Sequence, residues 1–324
     1  MSTGSYTIGI DLGGTNIKAG VLDAGGKIVE RRSIETQAQG GFEHVFSRLV
    51  QFVDDLIKAA GLAKEDIAAI GYGTPGPMSH AKGIIYASPN LPGWVNIPLR
   101  TKLSDATGLP VTLENDANAA AYGEFVAGAG QGTRDMVMLT LGTGIGGGIV
   151  LNGEIQRGAF DNAGELGHTI VVRDGRPCPC GQQGCLERYG SADAVAERFV
   201  EALQSGEDSP LRKRVNAGES LTSVDVAAAA RDGDALAARI WDETCLYLAI
   251  GCVNVQHTLN PECVVLGGGL IGAGDQLLTP IRRHFEQQSW QIAQDHPRIV
   301  FATLGDDAGI TGAAALARME YGVA

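Results

Sequence analysis

The chain has 324 residues, of which 44% are hydrophobic and 19% are charged, a balance that excludes an intrinsically disordered protein. Its formal net charge of −12 argues against nonspecific binding to nucleic acid or to an anionic membrane. A chain of this length exceeds one ordinary hydrophobic core, so we expect two domains.

The predicted elements of the first half begin with a β-hairpin, in which two apolar strands flank a turn that contains Gly13, Gly14 and Thr15. Apolar residues at helical spacing predict an amphipathic helix over 42–60, and a second helix begins at Asp116. The predicted strands cover residues 6–11, 18–23, 67–73 and 110–113.

The second half begins with a similar hairpin. A strand over 135–141, a glycine turn over 142–148 and a strand over 148–151 repeat the opening pattern, which indicates a duplication. Strands mixed with helices predict an α/β chain in two similar halves. The remaining predicted helices cover 192–204, 223–232, 234–257 and 308–320, and the remaining strands cover 263–266 and 299–302.

Targeting signals and disulfides are not expected. No basic and apolar leader precedes the first predicted strand, and no apolar run is long enough to span a bilayer. Of the six cysteines, three lie between residues 178 and 185 and three are scattered, which is unlike a disulfide framework and indicates metal binding. We therefore expect a cytoplasmic protein without a membrane partner.

The first glycine turn predicts a phosphate site. Glycines let backbone N–H groups face a phosphate, the Thr15 hydroxyl is a donor, and Lys18 adds positive charge. Asp11, at the end of the preceding strand, is placed to hold Mg²⁺ through water. A tight hairpin with a turn-stabilising aspartate explains this turn equally well, and the turn matches neither the Walker A nor the dinucleotide pattern.

The second glycine turn is harder to explain by packing. Five glycines in the seven positions 142–148 weaken a strand unless a ligand must approach closely. Residues 267–269, all glycine, end a third apolar strand, where a nucleotide would lie across the backbone. Ligands of open α/β sheets gather at such strand ends, so the glycine turns together predict a nucleotide site.

A polar segment over 114–118 lies where a predicted strand gives way to a helix. The plainer interpretation is that Asn115 or Asp116 caps this helix. The alternative is that Asp116 accepts or steers the proton of an acceptor hydroxyl, as phosphoryl transfer requires.

One histidine and three cysteines have the composition of a structural zinc site. The surrounding proline, glycine and glutamine residues disfavour the alternative of three cysteines in an apolar core. Glu165 and Glu187 bracket this cluster and suit sugar hydroxyls, although elsewhere they would be read as surface glutamates. The predicted zinc ligands are His168, Cys178, Cys180 and Cys185.

These motifs together resemble the ROK family of bacterial sugar kinases and related sugar-responsive repressors. The resemblance runs from about residue 8 to residue 317, and its most specific part is Glu165–His168 with Cys178–Glu187. The segments 11–18, 114–118 and 141–148 match the first phosphate, catalytic and second phosphate segments of the family.

The resemblance implies a two-lobed, actin-like (ribonuclease-H-like) ATPase fold, with a duplicated α/β core around a cleft. The smaller lobe would comprise residues 1–120 and 306–324, and the larger lobe residues 121–305 with the zinc loop. The family also suggests a homo-oligomer, either a dimer or a tetramer.

The resemblance further implies ATP-dependent phosphorylation of a hexose, with Mg²⁺ and structural Zn²⁺ as metals. Asp116 would be the general base on the 6-hydroxyl of the sugar, and Asp11 would serve Mg²⁺. The other sugar hydroxyls would be held by Asn90, Asn115, Glu165, His168 and Glu187. The ATP phosphates would contact Gly13, Gly14, Thr15, Lys18, Thr143 and Gly144, and the adenosine would lie near Gly268 and Gly269.

Glucose is the expected hexose, because the segments 88–94 and 304–309 resemble those of the glucose-phosphorylating members. Fructose, mannose and N-acetylhexosamines stay open as alternatives, since kinases for them share most of these motifs. A DNA-binding repressor is disfavoured by the negative charge and by the few residues before the first strand. A filament or chaperone ATPase would not need the zinc cluster or Asp116.

Overall fold

Strands and helices alternate through residues 5–88 and 91–322, which the computed structural model describes. The strands are β1 (Tyr6–Leu12), β2 (Asn16–Leu22), β3 (Ile28–Glu35), β4 (Ile67–Thr74), β5 (Met78–Ser79), β6 (Ile84–Ala87), β7 (Val95–Ile97), β8 (Val111–Asn115), β9 (Met136–Leu141), β10 (Ile145–Leu151), β11 (Glu154–Ile155), β12 (Cys263–Gly267) and β13 (Arg298–Phe301). The helices are α1 (Gly41–Ala59), α2 (Leu99–Thr107), α3 (Asp116–Ala127), α4 (Glu187–Gly190), α5 (Ala192–Gln204), α6 (Arg212–Asn216), α7 (Ser223–Arg231), α8 (Ala235–Leu259), α9 (Asp275–Gln288) and α10 (Ala308–Tyr321).

The first of two compact units contains the described residues up to Arg134, Gly148–Gly164 and the residues from Thr303 onward. The second unit contains Asp135–Gly147 and Glu165–Ala302. The sequence prediction placed residues 121–134, 148–164 and 303–305 in the other lobe, so the units differ from the predicted boundaries there. The predicted actin-like α/β fold, with a duplicated core, is confirmed.

The sheet of the first unit has the strand order β3-β2-β1-β4-β8. Strands β1, β2 and β3 are antiparallel neighbours, whereas β4 runs parallel to both β1 and β8. The carboxyl ends of β1, β4 and β8 therefore meet at one edge, where Asp11 is paired with Gly73 and Gly73 with Glu114. This register places the residues after β1 and those after β8 on either side of β4.

Helix α10 packs directly on this sheet because the strands carry glycine beneath it. A Cβ atom on Gly9 would lie 1.9 Å from the carbonyl oxygen of Ile310, and one on Gly71 would lie 1.7 Å from that of Ala313. Helix α3 approaches α10 in the same way, since a Cβ atom on Gly312 would lie 1.7 Å from the Ala119 oxygen. Any side chain at these positions would force the helix away.

The second sheet has the strand order β11-β10-β9-β12-β13, with β12 parallel to both β9 and β13. The predicted glycine turn is shorter than expected, because β10 already begins at Ile145. Gly148 lies in that strand and packs against α3, where a Cβ atom would be 2.4 Å from the Ala121 Cβ. The glycine at 148 is therefore explained by packing within the first unit.

Several elements were absent from the sequence prediction, among them β3 and α9. Both faces of β3 are largely exposed, so its sequence lacks the apolar alternation that marks a strand. Helix α9 contains Pro280, which usually indicates the end of a helix. None of the helices in the described stretches is both long enough and apolar enough to cross a membrane.

Candidate active site

The turn between β1 and β2 is fixed from one side by a buried threonine. The Thr36 hydroxyl donates to the Gly13 oxygen at 2.7 Å, and the Thr36 N–H donates to the Thr15 oxygen at 2.8 Å. In a trans peptide the N–H points opposite to the C=O. The N–H of Gly14 therefore points away from Thr36, and the Thr15 side chain is exposed beside it. This arrangement suits an anion.

Lys18 is held by a carboxylate in this structure. Its ammonium donates to Asp306 at 2.7 Å, and this hydrogen bond holds the pKa of the Asp306 carboxyl below its usual range. Asp306 is largely exposed, and such pairs contribute at most about 1 kcal/mol. Lys18 is therefore free to exchange Asp306 for a stronger anion at little cost, and its predicted phosphate contact stays a prediction.

Asp11 is the penultimate residue of β1 and lies near other carboxylates. Burial, and next the negative charge of Asp116, raise its pKa from 3.8 to about 6, although Lys18 acts in the opposite direction. The start of α10 adjoins this carboxyl group, because a Cβ atom on Gly309 would lie 3.0 Å from its Cγ. A buried carboxylate whose pKa is raised by a neighbouring carboxylate suits a divalent cation such as Mg²⁺.

Asn115, rather than Asp116, is the N-cap of α3. The Asn115 Oδ1 accepts the N–H groups of Ala117 at 2.9 Å and Asn118 at 3.1 Å. The capping interpretation is thus right for Asn115. Asp116 is the half-buried first residue of the helix, and its Oδ1 accepts the Ala117 N–H at 2.8 Å. A negative charge at this position interacts favourably with the dipole of the helix.

Sequence reasoning gave no role to Glu114, the neighbour of Asn115. Its side chain is only 2% exposed and forms an ion pair with Arg157 at 2.7 Å. A charged residue in an otherwise apolar strand was the available signal, because such a residue is rarely buried without a partner. Its partner lies 43 positions away and has no local signature.

The turn between β9 and β10 is closed by a hydrogen bond from the Gly142 N–H to the Gly144 oxygen at 3.0 Å, with Thr143 exposed at its tip. Glu187 lies against this turn and accepts the Ile145 N–H through Oε2 at 2.9 Å. A Cβ atom on Gly144 would lie 2.2 Å from that same oxygen. The predicted phosphate turn and a predicted sugar residue are therefore in direct contact within the second unit.

Gly268 follows β12 with a φ of 84°, a conformation that favours glycine. A Cβ atom there would lie 2.5 Å from the Leu141 oxygen, so the ends of β9 and β12 touch. Beside Gly269 opens a cavity of about 200 Å³, whose other walls include Ala227 and Gln276. The cavity is mostly apolar in lining, as small-molecule sites commonly are.

The four predicted zinc ligands come together. Their ligand atoms all lie within 4.8 Å of one another. The Cys180 and Cys185 sulfurs are 3.7 Å apart, and the Cys178 sulfur is 3.7 Å from the His168 Nδ1. Tetrahedral ligands about 2.3 Å from a zinc ion lie about 3.8 Å apart, so the donor set and its spacing fit Zn²⁺.

The loop that carries the cysteines depends on two glycines. Gly181 and Gly184 have φ values of 93° and 81°. A Cβ atom on Gly184 would also lie 1.7 Å from the Val172 oxygen. The loop closes through the Cys178 N–H, which donates to the Gln182 oxygen at 2.9 Å. These turns bring the sulfurs of Cys178, Cys180 and Cys185 close together.

His168 directs its two ring nitrogens to different neighbours. The Nδ1 faces Cys178, whereas the Nε2 lies 4.0 Å from the Oε2 of the exposed Glu165. A histidine that binds metal through one nitrogen presents the N–H of the other to a second group. Zinc binding and sugar binding by His168 are therefore compatible. Asn90, the other predicted sugar residue, lies outside the described residues.

Each of the two sheets contains a pair of strands joined by a glycine turn, and aspartates lie near the strand ends of the first sheet. This arrangement is that of an actin-like, phosphate-binding protein. A sequence model of the ROK family matches residues 7–320, and the chain belongs to this family.

Similar proteins include a glucokinase from Halalkalibacterium halodurans, which is 40% identical over 97% of this chain and 96% of its own length. A ROK hexokinase structure from Thermus thermophilus has a TM-score of 0.84 at 35% identity, covering 98% of this chain and all of that one. A ROK glucokinase from Streptomyces griseus, in complex with glucose and AMPPNP, has a TM-score of 0.77 at 35% identity. In that case 97% of this chain and 99% of the other are covered.

Proposed function

We propose that the protein is an ATP-dependent hexose kinase that transfers a phosphoryl group to the 6-hydroxyl of glucose. The observation that carries this proposal is the pair formed by Asp11 and Asp116. Asp11 lies near the end of β1 and Asp116 directly follows β8, on either side of β4, and the charge of Asp116 raises the pKa of Asp11. Phosphoryl transfer needs a carboxylate for the cation and another for the acceptor hydroxyl.

In this mechanism Asp116 accepts the proton of the 6-hydroxyl as the phosphoryl group departs from ATP. The backbone N–H of Gly14 and the Thr15 hydroxyl hold phosphate oxygens, with Lys18 added once it leaves Asp306. Asp11 positions Mg²⁺, which when bound neutralises charge on the transferring phosphoryl group. Thr143 and Gly144 supply the second phosphate contact, and the cavity beside Gly269 takes the adenine.

Recognition of the sugar is assigned to side chains with acceptor oxygens and to the imidazole. Asn115, Glu165 and Glu187 accept sugar hydroxyls, and the His168 Nε2 donates to one. His168 and the three cysteines would hold a Zn²⁺ ion, and a site with four protein ligands would serve a structural role. Asn90 completes the proposed set.

The test is an assay of ADP release over glucose, mannose, fructose, N-acetylglucosamine and N-acetylmannosamine, with Asp116→Ala as the control. A preference for glucose that the substitution abolishes supports the proposal. A preference for another hexose would keep the mechanism and replace the substrate. Turnover above a few per cent of wild type in folded Asp116→Ala would refute the assignment of the base.

A further inference from the structure

Glu114 is buried directly behind the first turn of α3. Its Oε1 accepts the Asn115 N–H at 3.1 Å and the Asn118 Nδ2 at 3.0 Å. Asn115 caps the helix and Asn118 lies in its first turn. One carboxylate oxygen of Glu114 therefore accepts hydrogen bonds from both sides of Asp116 in the sequence. Glu114 thus helps to set the orientation of the turn that carries Asp116.

The other oxygen of Glu114 is neutralised by Arg157. The Nε and Nη2 of Arg157 both lie 2.7 Å from Oε2, and the arginine side chain is itself mostly buried. A buried ion pair contributes little net stability compared with an apolar pair of the same size. What it does fix is geometry, because a planar guanidinium holds a carboxylate in one orientation.

Arg157 also anchors the loop that leads toward Glu165. Its carbonyl oxygen accepts the Ala163 N–H at 3.0 Å. In the same loop Asp161 accepts the Ser79 hydroxyl and the His80 N–H, both at 3.1 Å. The ion pair thus links the start of α3 to a loop that Asp161 anchors to Ser79 and His80.

Other ionisable groups around the pair and Asp116 include Tyr122, which interacts electrostatically with Arg157, and Asp11, which interacts with Asp116. The His80 Nδ1 is 4.0 Å from the Glu114 Oε2 and donates to the Leu113 oxygen at 2.8 Å. The His80 Nε2 is 3.8 Å from Glu320, which also lies 3.9 Å from Arg100. Arg157 is the cation in hydrogen-bond contact with Glu114 among the described residues.

We propose that Glu114 and Arg157 are positioning residues for the general base, an inference that rests on the role proposed for Asp116. Glu114 holds the turn that presents Asp116 to the hydroxyl. Arg157 both orients Glu114 and balances its charge beside the turn that carries Asp116.

The charges predict opposite pH effects for two substitutions. Arg157→Met leaves the Glu114 charge unbalanced, which raises the proton affinity of Asp116 and moves the acid limb of the kcat profile upward by about one pH unit. Glu114→Gln leaves Arg157 unbalanced and moves the limb downward by a similar amount. Both variants should lose about tenfold or more in kcat, with the KM for ATP nearly unchanged.

The double variant Glu114→Gln/Arg157→Met is the internal check. It contains no unpaired buried charge, and the glutamine side chain still accepts a hydrogen bond from Asn118. Its kcat should therefore exceed that of Arg157→Met, and the acid limb of its pH profile should return toward that of wild type. Arg157→Lys keeps the charge and should leave the limb in place while lowering kcat. Arg214→Met, which breaks an ion pair with Glu219 and Asp225, is the matched control and should change neither quantity.

Circular dichroism and thermal unfolding establish that each variant is folded. The positioning role would be overturned if the acid limbs of the Arg157→Met and Glu114→Gln profiles moved in the same direction, or if neither moved. It would also be overturned if folded Arg157→Met kept a kcat within threefold of wild type. Failure of the kinase proposal is distinguished by wild-type protein, which would then turn over no hexose at all.

Discussion

Asp11→Asn should stabilise the protein while it removes activity. The pKa of Asp11 is raised from 3.8 to about 6, chiefly by burial and secondly by Asp116, so the folded protein holds this proton more tightly than the unfolded chain. The unfolded state releases the proton above about pH 4 and the folded state above about pH 6. Stability therefore falls as the pH rises through this window, and the full difference corresponds to about 3 kcal/mol at pH 7.

Asparagine carries no such cost. The free energy of unfolding of Asp11→Asn, measured by urea titration without metal, should match that of wild type near pH 4 and exceed it by about 2–3 kcal/mol at pH 7. Asp116→Asn removes one cause of the raised pKa and should yield a smaller gain of the same sign. Turnover with Mg-ATP should fall by at least about a hundredfold in Asp11→Asn. A difference between Asp11→Asn and wild type that stays constant from pH 4 to pH 7 would refute the argument.

Two other predictions concern stability and metal. Purified protein should contain close to one zinc per chain by elemental analysis. The Cys185→Ser variant should lose the zinc, and its KM for the sugar should rise more than its KM for ATP. A zinc-free, fully active protein would contradict this prediction. Glu124 is fully buried and accepts the N–H groups of Ala129, Thr303 and Leu304 at 2.7–3.1 Å, so Glu124→Gln should lower the free energy of unfolding by about 3 kcal/mol. Glu43→Gln, at a site where the side chain is 79% exposed, is its control, and equal losses in the two variants would count against the reasoning.

Much of the fold could be predicted because its signals are local. The hairpin of β1 and β2, the strand β8 that leads into α3, and the long helix α8 all have apolar periodicity or glycine turns that a short window detects. The cysteine loop is equally local, since its three thiols lie within eight positions and its glycines permit the required turns. The family resemblance added the ligands that these motifs are expected to bind, above all the sugar, which residue spacing alone does not specify.

What could not be predicted depends on pairs that are remote in sequence. Lys18 meets Asp306 across 288 positions, and Glu187 meets the Ile145 N–H across 42. Glycine at 148 was assigned to a phosphate turn, although its neighbour is Ala121 of α3. A glycine required by a ligand and one required by a packed helix look the same in a single sequence.

The contact of α10 with α3 and with the sheet has a mechanical consequence. Gly123 approaches the Ala308 oxygen and Gly312 the Ala119 oxygen so closely that backbone meets backbone, with no side chain between them. Such a seam has no rotamers to rearrange, so a small displacement on one side is transmitted to the other rather than absorbed. Asp11 and Asp116 are both mounted on this seam. A displacement of α3, which begins with Asp116, is therefore passed on to α10, whose first turn adjoins Asp11.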